Sequence, residues 1–139
     1  MHPPSIAALA LAAATLAACP LSSQQPGTAR PRQVLAQVVP GMPTSAEQEV
    51  RVLTAVFEPG DRTVFHTHRS PVTVYVLEGT FTLAIEGREP LTVRVGEAMV
   101  EPPHARMTGF NRSATERTRV VIFYVSEPGT PFLDPVSTP

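Results

Sequence analysis

The chain has 139 residues and a formal net charge of −1. That is enough for one domain, and too little basic charge to build a nucleic-acid surface. Its one cysteine excludes an internal disulfide. The 16 prolines crowd the first 43 residues and the tail beyond Glu127. Proline interrupts regular structure, so the fold must come from the segment between.

In chain order, "SIAALALAAATLAACP" is an Ala-rich apolar run too short to span a membrane comfortably, and it ends in small residues before Cys19. This is the pattern of an export signal over residues 1–18. "LAAC", Leu16 to Cys19, resembles the lipobox of bacterial lipoproteins, in which the cysteine is lipidated and becomes the new N-terminus. The resemblance implies a periplasmic protein anchored by lipid. Pro20, where inner-membrane retention favours Asp, points to the outer membrane. The n-region "MHPPS" departs from the pattern because it carries no Lys or Arg. A plain cleaved signal or a buried Ala-rich helix is the alternative. Residues 19–45 read as a flexible tether, 46–127 as the folded domain, and 128–139 as a loose Pro-rich tail.

Within the folded segment, short β-branched pieces alternate with turn residues. "EVRVLTAVF" stops at the turn "EPGD", and "RTVFHTH" is followed by "VTVYVLE" and then Gly79. "TFTLAIE", "PLTVRV", "GEAMVEPP", "RMTGFN" and "RTRVVIFYV" complete the set. No stretch keeps a helical period over a useful length. Many short strands with Gly and Pro turns predict an all-β sandwich or barrel.

His66 and His68 stand one residue apart just before the "VTVYVLE" run. On an extended chain they project to one face, which suggests a metal site or an acid–base pair. The spacing around them resembles the two motifs of the cupin superfamily. The first motif is met by Gly60, His66, His68 and Gly79, with Val72 where a Glu is usual. The second is met by Gly96, Pro102 and Asn111, with His104 at a Gly position and Met107 at the His position. The resemblance implies a jelly-roll barrel, the double-stranded β-helix. In metal-binding members two His and a Glu of the first motif and a His of the second hold a divalent ion. Here only the first two ligands are kept.

Three residues are candidates to complete a site. Met107 offers a thioether suited to copper, His104 precedes it at a turn, and Glu101 shares a strand face with Met99. The bland alternatives are a core methionine, an exposed turn histidine and a carboxylate paired with Arg106. Two functions follow. One is an exported cupin that binds a small molecule in its barrel through one divalent ion (Fe, Mn, Zn or Cu), as an oxygenase- or isomerase-like enzyme. The other is a non-catalytic binding or sensing module without the metal. Homodimerisation is an expectation from the family alone. No serine nucleophile motif and no phosphate loop is present.

Overall fold

Strand formation follows the alternation of β-branched residues. In this computed structural model, which describes residues 27–137, they build β1 (Glu49–Phe57), β2 (His66–Thr67), β3 (Val72–Glu78), β4 (Thr80–Ile85) and β5 (Leu91–Arg94). β6 (Ala98–Glu101), β7 (Met107–Phe110), β8 (Thr118–Ser126) and β9 (Asp134–Pro135) follow. Two antiparallel sheets result, in the orders β1-β8-β3-β6 and β5-β4-β7-β2-β9. Helices are absent among the described residues, as the sequence predicts. The proposed signal and Cys19 lie outside them.

Period-two alternation turns one face of each sheet inward. Val72, Val74 and Val76 of β3, Phe81 and Leu83 of β4, and Met99, Met107, Val120 and Tyr124 meet between the sheets as one core. The motif residues shape its connections. Gly79 has φ of +71°, and a Cβ there would overlap the Arg117 carbonyl oxygen, so only glycine can join β3 to β4. Asn111 is buried and cross-ties two loops. Its Nδ2 donates to the carbonyls of Phe57 (3.0 Å), Glu58 (3.1 Å) and Glu116 (2.8 Å), while its Oδ1 accepts from Ser113 N–H.

Three segments differ from expectation. "RTVFHTH" is a strand only at its end, because Thr63 interrupts the ladder. Its hydroxyl takes the Gly109 N–H (2.9 Å) that a backbone carbonyl would otherwise take. The tail is not loose. Pro135 and Asp134 pair with His66 and Thr67, and Val136 N–H donates to the Phe65 carbonyl at 2.9 Å. Of the expected tether, residues from Arg32 onward belong to the compact unit. Leu35 and Val39 are half-buried, and Leu35 shares a crevice with Leu83, Met99 and Val100. Apolar letters in an irregular segment have found the seam between β5 and β6.

Candidate metal centre

β2 and the residue that follows it deliver both histidines to the interior. His66 and His68 flank a half-buried Thr67 and are 3% and 1% exposed, which bears out the shared face read from their spacing. Glu101 enters from β6. In the antiparallel register Val72 sits opposite Glu101 on one side and Tyr124 on the other. Directly opposed residues share a face. The carboxylate absent from position 72 is therefore supplied by its cross-strand neighbour, and Glu101 is 5% exposed. Ligating atoms of His66, His68 and Glu101 all lie within 4.8 Å of one another.

The hydrogen bonds fix which nitrogens face inward. His66 Nδ1 is 2.7 Å from the Val64 carbonyl, and His68 Nδ1 is 2.7 Å from the Phe132 carbonyl. A carbonyl only accepts, so each Nδ1 carries a proton and each ring turns its Nε2 toward the cluster. The two Nε2 atoms are 3.0 Å apart, and His68 Nε2 is 3.0 Å from Glu101 Oε2. Three potential ligand atoms thus converge in a buried space, where either a proton on His68 Nε2 shared with Glu101 or a metal cation among the three would hold them together. Carbonyl bonds on the far ring nitrogens are the usual support of metal-ligating histidines. Burial pushes the His66 imidazole below its ordinary range. The Val64 carbonyl works against that shift, while the neighbouring His68 adds to it.

The remaining candidates separate. Met107 is fully buried in the core and lies opposite His66 in the β2–β7 register, so it faces the same interior. His104 is exposed and outside the cluster, which corrects its candidacy as a ligand. It occupies a turn with φ of +60°, the left-handed conformation suited to the glycine of the motif, and its N–H donates to the His68 carbonyl at 2.7 Å. Glu101 meets His68, whereas Arg106 pairs with Glu86 at 3.2 Å.

Sequence reasoning missed the roof of the site. The Phe132 ring packs on His68 (centroids 5.0 Å apart) and on Tyr124 (5.5 Å). Arg51 lies over Tyr124 and donates to the Thr130 carbonyl at 2.6 Å. Strand alternation was the available signal for Arg51, since it shares the inward parity of Leu53, Ala55 and Phe57 on β1. The tail carries no such signal. A cavity of about 550 Å³ lies elsewhere, lined by Arg62, Val64, Phe65, Thr108 and Val136 among others.

Residues 53–124, just over half of the chain, match the family described as Cupin domain. The chain belongs to the cupin domain family. Solved structures agree on the double-stranded β-helix. A cupin-like protein from Thermotoga maritima is 21% identical, with a TM-score of 0.55 over 64% of this chain and 65% of its own. The DMSP lyase DddQ from Ruegeria pomeroyi is 15% identical, with a TM-score of 0.54 over 63% of this chain and 43% of its own. The polyketide cyclase RemF from Streptomyces resistomycificus is 25% identical, with a TM-score of 0.52 over 68% of this chain and 64% of its own. The chain spans less than two-thirds of each of these three. No curated protein sequence matches it.

Proposed function

We propose that this cupin holds one divalent metal ion through His66 Nε2, His68 Nε2 and the Glu101 carboxylate, and acts there on a small organic molecule. The observation that carries the reading is the convergence of three buried donors whose histidines are both locked, Nδ1 outward, on backbone carbonyls. Two imidazoles and one carboxylate with open positions suit iron(II), manganese or zinc. A bound ion of this kind would supply Lewis acidity or a site for oxygen chemistry, in keeping with an oxygenase- or isomerase-like activity. The protein's part is to orient the imidazoles, offer the carboxylate and exclude water through Val72, Met107 and Tyr124. The likeness to a polyketide cyclase supports small-molecule chemistry.

Elemental analysis after purification without chelators tests the reading. The parent is expected to hold about one ion per chain, and His66→Ala, His68→Ala and Glu101→Gln each to lose it. A parent that neither carries nor takes up metal overturns it. Met107 opposite His66 favours copper as a second reading. Met107→Leu then weakens copper binding and leaves manganese binding unchanged, whereas an equal effect on both removes the copper reading. Deep burial of the trio also fits the alternative, a non-catalytic binding or sensing module without the metal, whose expected signature is a parent chain that takes up no metal.

The reading includes export and lipidation at Cys19, supported by "LAAC". Palmitate labelling in a bacterial host is expected to mark the parent and not Cys19→Ala.

A further inference from the structure

We propose that residues 127–137 form a hinged strap that gates the His66–His68–Glu101 site and positions His68 through the Phe132 carbonyl. The proposal rests on that trio being a metal site, but its central test does not require metal.

The strap begins where the family match has ended, three residues after Tyr124. Its first four residues, Glu127–Thr130, make a turn closed by Thr130 N–H donating to the Glu127 carbonyl at 3.1 Å. Pro128 and Gly129 occupy the centre of that turn, with Gly129 at φ of +76°. Pro followed by a left-handed Gly is the pattern of a type II turn, which gives a fixed pivot. Beyond the pivot the chain pairs with β2 through Asp134 and Pro135, Val136 N–H donates to the Phe65 carbonyl and Arg106 donates to the Ser137 carbonyl, and side chains of the site region hold it as well. Arg51 takes the Thr130 carbonyl, His68 Nδ1–H takes the Phe132 carbonyl, and Arg69 grips Asp134 with two bonds of 2.8 and 2.9 Å.

These ties differ in kind from those that hold the barrel. β9 has only two paired residues, Phe132 is half-buried, and the Arg69–Asp134 pair is near solvent. β1 and β8, by contrast, pair over nine residues. Few ladder bonds and little buried surface make the strap easier to open than the β1–β8 ladder. Closed, it seals the trio, with Phe132 over His68. Phe132 lies directly against His68, so lifting the strap would open a path to the trio on that side. Lifting also takes the carbonyl from His68 Nδ1 and frees the ring to rotate or change tautomer. One movement therefore opens the mouth and loosens a ligand, while closure does the reverse.

Diethylpyrocarbonate labelling of the metal-free full chain, read residue by residue by mass spectrometry, tests the gate. His104, exposed on its turn, is an internal reference outside the strap. In the parent His104 is expected to react promptly, and His66 and His68 slowly. Asp134→Ala should speed labelling of His66 and His68 about fivefold, the effect of losing a two-bonded surface ion pair. Phe132→Ala should speed it on the order of tenfold, and Asp134→Glu should stay near the parent. His104 should react at one rate throughout, and a parent-like thermal transition in Asp134→Ala separates gating from unfolding. The gate is overturned if His66 and His68 of the parent react as fast as His104, or if neither strap variant changes their rate. Cobalt(II) release to excess chelator adds the link to metal. Faster release from Asp134→Ala at unchanged stoichiometry supports the coupling to His68, and equal release rates overturn it. A parent that takes up no cobalt overturns the metal reading, while the labelling still decides the strap.

Discussion

Val72 shows how one residue's neighbours change what a substitution does. It is fully buried between Glu101 and Tyr124 across two strand pairs. Val72→Glu would restore the letter of the family motif, yet it would set a second carboxyl beside Glu101 in a closed interior. Without metal the fold is expected to lose about 2–4 kcal/mol. Manganese should return most of it, as thermal unfolding with and without the ion would reveal. His66 carries a pH signature. Burial lowers its folded-state pKa below the ordinary value of 6.5, so the folded protein favours the neutral ring. Its contribution to stability is full above pH 6.5 and is lost as pH falls through the lowered folded value. Urea unfolding of the metal-free protein should show lower stability at pH 5 than at pH 8, a difference that shrinks in His66→Gln. Glu101 was legible in the sequence as one inward-facing candidate among several. Its pairing with Val72 was not, because cross-strand register is a non-local fact that one strand's letters do not state.

At the scale of elements, strands were readable wherever β-branched residues alternate, as in β1, β3 and β8. They were unreadable where a side chain or a turn replaces the ladder, as Thr63 does before β2. β9 is two residues long and contains Pro135, so neither period nor propensity marks it. The turn at His104 is a testable case of a motif letter at odds with its backbone. A non-glycine residue at φ of +60° is strained, and its ring makes no contact with the site. His104→Gly is expected to raise stability by about 0.5–1 kcal/mol in chemical denaturation, leaving metal stoichiometry unchanged. Asn111 is the opposite case, a motif letter fully used. Its two Nδ2 hydrogens serve three carbonyls, so one bond is shared. Asn111→Ala should lower stability by about 2–4 kcal/mol, without altering metal affinity in the surviving folded fraction.

For the whole molecule, truncation separates barrel from roof. A chain cut to residues 46–127 keeps β1 to β8 and loses β9, the Phe132 carbonyl and the segment against β6. It should still unfold cooperatively, but about 2–4 kcal/mol less stably than the chain that retains both ends. Absence of any thermal transition would mean that the barrel needs its ends to form. The outer face of the β1–β8 pair exposes Val50, Val52, Val56 and Phe123, while its inner face is anchored by the core. The crowding of prolines placed the fold in the middle of the chain, but proline content does not reveal which irregular end segments pack on the barrel.

The contact between the tail and His68 is made by a main-chain oxygen, and a main-chain oxygen is blind to the identity of its residue. Substitutions at Thr130 and Pro131 can leave that bond intact, whereas one inserted residue moves every later carbonyl by about 3.3 Å. The tail is therefore constrained in length more tightly than in spelling. Its history in diverging chains should read as a fixed count from Ser126 to Phe132, with Gly129 and an aromatic ring at 132 kept, the other letters changing, and insertions displaced to positions beyond Val136.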